Sequence, residues 1–169
     1  MKGIVTFDPR SCNGIDGTIV FKQAGHRSNV KVSIHLKGFT KSKPHALHVH
    51  EFGDISNGCH SSGGHFNPTN VTHGSIDIPN HPRHAGDLCN NIFPKRGKVS
   101  YRFTDDALTM FGRNSIIGRT VVIHEKEDDL GLGGLDEHGE VINRKVHKES
   151  LKTGNAGGRV ACAIIGLAK

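Results

Sequence analysis

Along residues 30–36 the chain alternates strictly: Val30, Val32, Ile34 and Leu36 are apolar, and Lys31, Ser33 and His35 are polar. A two-residue period of this kind belongs to a strand with one buried face. Apolar or β-branched runs of similar length recur at residues 3–7, 15–21, 46–50, 88–93, 98–103, 120–124 and 160–167. Turn-forming stretches separate the early ones, such as Asp8-Pro9-Arg10-Ser11-Cys12-Asn13-Gly14 and Gly25-His26-Arg27-Ser28-Asn29. Short strands at near-regular spacing predict an all-β antiparallel sandwich or barrel of eight strands. The pattern lapses twice, over residues 51–86 and 125–158, where Gly, Asn, Ser, His and charged residues dominate. These read as two long loops with no convincing helix, and loops of that length inside a domain are functional or disordered.

Composition narrows the reading. The 169 residues suit one domain, or two small ones, and can bury a proper core. Thirteen histidines are many for this length and direct attention to metal or proton chemistry. The formal charge of +6 favours anions, but the cations look scattered and are not interleaved with aromatic residues. Nucleic acid is therefore not an expected partner. Residues 1–7 carry no apolar signal core and no run approaches membrane-spanning length, so neither membrane association nor export is expected. The expected location is the cytoplasm, the host's for a viral source. Four cysteines (Cys12, Cys59, Cys89, Cys162) form no CxxC pair, and their spacing selects none of the three complete pairings.

The histidines gather around the two lapses. His48 and His50 share one face of a strand, which makes half of a metal site. His65, His73, His81 and His84 follow in the first loop, Asp87 closes it, and His124 ends the seventh strand. Imidazoles with one carboxylate suit a borderline divalent ion, and ligands drawn from strand ends and a loop would pin that loop to the sheet. His26, His35, His45, His60, His138 and His147 read as solvated surface residues, whereas the spacing of His81 serves as well as that of His84.

Five stretches together resemble copper–zinc superoxide dismutase. They are His48-Val49-His50-Glu51-Phe52-Gly53-Asp54, Gly64-His65-Phe66-Asn67-Pro68, His84-Ala85-Gly86-Asp87-Leu88, residues 118–126 and residues 154–162. The succession covers essentially all of residues 1–169 as one such domain. The resemblance implies an eight-stranded Greek-key sandwich or flattened barrel of immunoglobulin-like architecture with two long functional loops. It implies copper on His48, His50, His65 and His124, and zinc on His65, His73, His84 and Asp87, with His65 shared as a bridging, catalytic group. The family's His-x-Gly-Asp pattern selects His84 over His81. Asp128 would link His48 to His73, Cys59 and Cys162 would form a disulfide, and Arg159 would stand at the copper channel as a catalytic residue. Glu149 and Lys152 would steer the anionic substrate. The implied reaction disproportionates superoxide to oxygen and hydrogen peroxide through alternate reduction and reoxidation of copper. The implied assembly is a homodimer through Val5, Phe7, residues 52–55, residues 116–118 and residues 165–167.

Some positions depart from the family pattern. The second loop is enlarged within residues 135–148, and Lys148 stands where an acid is common, which would make the channel mouth more positive. Cys89 replaces a usual glycine and reads as a small buried side chain, and Cys12 as a free thiol in a turn. Neither neighbour of Arg159 is proline, which in the family leans towards maturation without a dedicated copper chaperone. A chaperone-type or inactive relative would lack a ligand or the arginine, both of which are present. A purely structural zinc sandwich would keep the same ligands.

Overall fold

A computed structural model describes residues 1–78 and 80–169. Its strands are β1 (Lys2–Phe7), β2 (Asp16–Lys22), β3 (Val30–Lys37), β4 (His45–His50), β5 (Ser56–Cys59), β6 (Asp87–Ile92), β7 (Lys98–Asp105), β8 (Thr120–His124), β9 (Arg159–Ile164) and β10 (Gly166–Leu167). One five-stranded sheet has the order β10-β1-β2-β3-β7, and a four-stranded sheet has the order β6-β4-β8-β9. All the pairings are antiparallel. The chain passes between sheets from β3 to β4, β6 to β7 and β7 to β8. The non-sequential neighbours β3–β7 and β4–β8 give the Greek-key arrangement that the family resemblance implies. Eight principal strands make the sandwich, and β5 and β10 are short additions.

The alternation at residues 30–36 is realised residue by residue. Val30, Val32, Ile34 and Leu36 are buried, while Lys31 and His35 are exposed. The inward side chains of β1 and β2, Val5, Phe7, Ile19 and Phe21, meet Leu47, Val49, Val121 and Ile123 of the other sheet in one core. Removing these apolar surfaces from water is the main stabilising contribution. Strands β4 and β8 are buried at every position, because loops cover the face that does not meet the core.

Three local expectations need correction. The second loop contains a helix, α1 (Arg144–Thr153). It starts at Asn143, whose side chain accepts from Val146 N, and ends at Gly154 in the left-handed conformation. The last strand is broken at Ile165, which is fully buried and exchanges backbone hydrogen bonds with Gly118 and Arg119. The chain thereby switches sheets, so β9 pairs with β8 and β10 with β1. His45 is buried rather than solvated: it lies on β4, near Phe39, and its Nδ1 donates to the His124 carbonyl at 2.8 Å.

Candidate metal centre

The first long loop folds back along β4. Glu51 N donates to Gly64 O and Phe66 N to Val49 O, which sets His65 opposite His50. A bulge between Leu47 and His48 puts Asp87 across from His48. Bulges of this kind re-aim side chains at functional sites. His73 N donates to the Leu151 carbonyl of α1 at 2.8 Å, so the second loop fixes the first. The disulfide Cys59–Cys162, with Cα atoms 5.7 Å apart, ties the first loop to β9.

Two donor groups result. One ligand atom from each of His48, His50, His65 and His124 lies within 4.8 Å of the others, and so does one from each of His48, His65, His73 and Asp87. His84 stands beside the second group, its Nδ1 3.2 Å from Asp87 Oδ1 and 3.4 Å from His65 Nδ1. The structure thus brings together every histidine and carboxylate that the resemblance implicates. His81 is outside, with its Nδ1 donating to Pro82 O.

The hydrogen bonds determine which ring nitrogens carry lone pairs, because carbonyls and carboxylates only accept. His50 Nδ1 donates to Gly63 O at 3.0 Å and His124 Nδ1 to Gly157 O at 3.3 Å. Their Nε2 atoms, both left with lone pairs, face each other at 3.2 Å. His48 Nε2 donates to Asp128 Oδ2 at 2.6 Å and His65 Nδ1 to Asp87 Oδ1 at 2.9 Å. His48 Nδ1 and His65 Nε2 are then buried without a partner, as is His73 Nδ1, which lies 3.0 Å from Asp87 Oδ2 without hydrogen-bond alignment. Converging lone pairs in a dry pocket repel one another unless a cation sits among them, so the donor set fits bound metal.

Electrostatics agrees with this reading for His50, His65 and His124. Burial pushes His50 and His65 well below the usual histidine range and His124 down to about 3, leaving neutral rings ready to ligate. Burial opposes protonation of His73 too, but the Asp128 hydrogen bond and the charges of Asp87 and Asp128 outweigh it and raise the ring to about 9, so in the metal-free protein this ring carries a second proton that a bound cation would displace. Burial would raise Asp87 and Asp128, yet their histidine partners hold both carboxyls well below the usual range.

Asp128 joins the two groups: Oδ2 accepts from His48 and Oδ1 from His73 Nε2 at 2.8 Å. Sequence reasoning missed its supports. Asn90 Nδ2 donates to Asp128 Oδ2 at 3.0 Å, and the Asn91 side chain exchanges hydrogen bonds with the Asp128 backbone. A paired asparagine on a strand carries no distinctive sequence signal. Gly154, at φ +64°, packs so closely that a Cβ would collide with the Asp128 carboxylate and His73 Nε2.

A cavity of about 460 Å³ opens onto the first group, lined by His50, His65, His124 and Arg159 together with Glu149 and Lys152 of α1. Lys126, which the sequence reading did not single out, also lines it. The Arg159 guanidinium is fixed by the disulfide-linked loop, donating to Cys59 O at 2.6 Å, Ser62 Oγ at 3.0 Å and Gly63 O at 2.6 Å. Lys148 lines a separate cavity with Arg144 and His147, so its charge does not border this one directly. Cys12 and Cys89 are free and buried.

Comparison with known proteins agrees. A family model described as copper/zinc superoxide dismutase matches residues 15–165. The chain is 46% identical over 157 residues to superoxide dismutase [Cu-Zn] 5 of Dictyostelium discoideum, covering 93% of each chain. It is 43% identical over 159 residues to a Cu-Zn superoxide dismutase of Schizosaccharomyces pombe, covering 94% of each. It is 44% identical over 153 residues to an extracellular Cu-Zn superoxide dismutase of Drosophila melanogaster, covering 90% of this chain and 76% of that one. With its donor groups, sandwich fold and these matches, the chain belongs to the copper/zinc superoxide dismutase family.

Proposed function

We propose that this chain uses two adjoining metal sites, copper on His48, His50, His65 and His124, and zinc on His65, His73, His84 and Asp87. Membership of the family makes the protein an oxidoreductase that disproportionates superoxide to oxygen and hydrogen peroxide, with copper and zinc as cofactors. When bound, copper supplies the one-electron redox couple, and zinc, which has no redox chemistry, supplies charge and structure.

The observation that carries the assignment is the position of His65. Its Nδ1 faces Asp87 and His84, while Nε2 is buried without a partner within the group that holds His50 and His124. His84 completes the zinc set in this proposal, because its Nδ1 stands beside both Asp87 Oδ1 and His65 Nδ1, the ring nitrogen turned away from His50 and His124. Asp128 fixes the orientation of His48 and His73 together, as carboxylate partners of metal-bound histidines do. Arg159 offers a fixed cation beside His50 and His124 to hold a small anion, with Lys152 and Glu149 shaping the field at the mouth. His65 Nε2 is the ring nitrogen placed to carry a proton towards peroxide. Titrating the metal-free protein with zinc and then copper tests the shared ligand. Zinc should alter copper's visible absorption, and a copper spectrum indifferent to zinc contradicts it.

The proposal takes residues 1–169 as one domain, supported by the single core between the sheets. It includes a two-fold homodimer. Val5, Phe7, Ile116 and Ile165 are fully buried in the core and are not available to a partner, but Phe52, Ile55, Ile164 and Leu167 are exposed. Gly53 abuts Gly118 and Ile164, which makes part of this surface contiguous. Apolar surface of this kind favours self-association, and light scattering at low concentration reads it. No helix among the described residues is long and apolar enough to cross a membrane. The proposed compartment is the cytoplasm, supported by two free thiols beside a single disulfide. Cell fractionation tests this placement. Maturation without a dedicated copper chaperone, supported by Gly158 and Val160 flanking Arg159, predicts full copper loading in a host lacking one.

A further inference from the structure

Strand register gathers cations that look scattered in the sequence. Lys2 of β1 is opposite Lys22 of β2, and Lys22 is opposite Lys31 of β3. Lys31 in turn faces Thr104 of β7, two residues from Arg102. Neighbouring strands lie about 4.8 Å apart, so the three lysines form one row across the sheet that ends beside Arg102. All four side chains point outward by strand alternation, and Lys22, Lys31 and Arg102 are exposed.

Like charges directly opposed across strands destabilise a sheet, and no carboxylate among the described residues offsets Lys22 or Lys31. Asp16 is the one acid at an outward position of β1, β2, β3 and β7, and Lys37 takes it at 3.0 Å. Lys22, Lys31 and Arg102 have no carboxylate within 4.0 Å among the described residues, whereas Lys2 Nζ donates to the Lys169 backbone oxygen at 3.1 Å. Lys98 and His35 add further positive or neutral groups on the same face. An open cavity of about 460 Å³ lies over Lys22 and Lys31, lined also by Arg102, Ser33 and Thr104, with Val32 and Phe103 at its floor. It is carried by the opposite sheet from the histidine centre and lies away from the β10 edge.

We propose that this row is a binding site for a linear phosphate polyanion, an inorganic polyphosphate chain. Phosphate oxygens would accept from the ammonium and guanidinium groups, with the Ser33 and Thr104 hydroxyls as further donors. The occupant is chosen by what the row can read. Among the described residues the one aromatic side chain lining the cavity, Phe103, is half-buried and packed against the core rather than standing in the outward row for a nucleic-acid base to stack on, and a broad sheet face does not enter a DNA groove. The outward apolar side chains beside the row, Ile4 and Val20, are half-buried, so no exposed large apolar group among the described residues of the row is offered to a bilayer. Charge in a line is the chemistry left, and binding relieves the repulsion between Lys22 and Lys31.

Fluorescence anisotropy of labelled long-chain polyphosphate against the metal-loaded protein, over a salt series, tests the site. The Lys22→Gln/Lys31→Gln double variant should lower the slope of log affinity against log salt by about two, one per lost contact. The charge-matched Lys145→Gln/Lys148→Gln variant, on α1, should leave the slope as in wild type. Polyphosphate should also raise the thermal midpoint of wild type but not of the Lys22/Lys31 variant. Folding of that variant is expected to be intact, since it removes a like-charge pair. An equal loss of slope in the α1 variant overturns the site. Tighter binding of single-stranded DNA, or of phosphatidylserine vesicles, through the same two lysines overturns the choice of ligand.

Discussion

Replacing Asp128 by asparagine keeps the volume and removes one acceptor oxygen from the link between the two donor groups. Four donors converge on this carboxylate: His48 Nε2 at 2.6 Å, Leu130 N at 2.7 Å, His73 Nε2 at 2.8 Å and Asn90 Nδ2 at 3.0 Å. They divide evenly, with His48 and Asn90 on Oδ2 and His73 and Leu130 on Oδ1. Whichever position the amide nitrogen takes, one histidine N–H and one further N–H then face a donor. A hydrogen bond to a charged acceptor is worth about 1.5–3 kcal/mol, and a buried donor left unpaired also loses its solvation. Part of that is recovered if the opposed histidine changes tautomer, but the tautomer then presents the wrong nitrogen to the metal. Loss of such a partner typically lowers metal affinity about 10- to 100-fold. Competition against a chromogenic chelator, run separately for zinc and copper, reads the effect. Asp128→Asn should lower at least one affinity by that factor, and a selective loss of one metal would identify the opposed histidine. Both affinities within about twofold of wild type would refute the role given to Asp128.

Further outcomes follow from the same geometry. Arg159→Gln should reduce kcat/KM for superoxide about tenfold while leaving metal content unchanged, because it removes a fixed cation from the cavity and no ligand. Cys59→Ser/Cys162→Ser opens a link between residues 103 apart and should destabilise the protein by about 2–5 kcal/mol in urea unfolding. The same change should depress activity more than metal content, since Cys59 O helps to hold Arg159. In the metal-free protein His124 binds its proton only near pH 3, against 6.5 in an unfolded chain. Between those values the unfolded state holds more protons, so stability is present above pH 6.5 and is lost as pH falls, by about 1.4 kcal/mol per unit. A urea midpoint flat from pH 7 to 4 contradicts this. Burial pushes the Cys89 thiol up to about 12, so native protein should resist iodoacetamide at pH 8 while unfolded protein reacts at this residue.

The sandwich was readable in residues such as Val30, Val32, Ile34 and Leu36, because a sheet with one wet face writes its burial as a period of two. Helix α1 was not readable. Its segment, Arg144-Lys145-Val146-His147-Lys148-Glu149-Ser150-Leu151-Lys152-Thr153, has almost no apolar stripe, and one fully buried polar side chain helps anchor it: Ser150, which donates to Asp129 Oδ1. Periodicity fails where a helix is held by a cap and polar contacts rather than an apolar face. His45 failed for the opposite reason: β4 is covered on both faces, so the default of a solvated histidine does not hold there. In the candidate centre, the donor residues and Asp128 were legible from motif resemblance. Their tautomers, the Asn90 and Asn91 supports and the grip of Cys59 and Gly63 carbonyls on Arg159 depend on tertiary contacts that no local stretch encodes. The lysine row was hidden for the same reason, since strand register brings residues 2, 22 and 31 into line.

The most direct test pairs metal content with superoxide consumption on the same sample, prepared metal-free, loaded with zinc alone, and loaded with both metals. The account predicts one copper and one zinc per chain after full loading, with superoxide consumption present only when copper is bound. Fully copper-loaded protein that does not consume superoxide would contradict it.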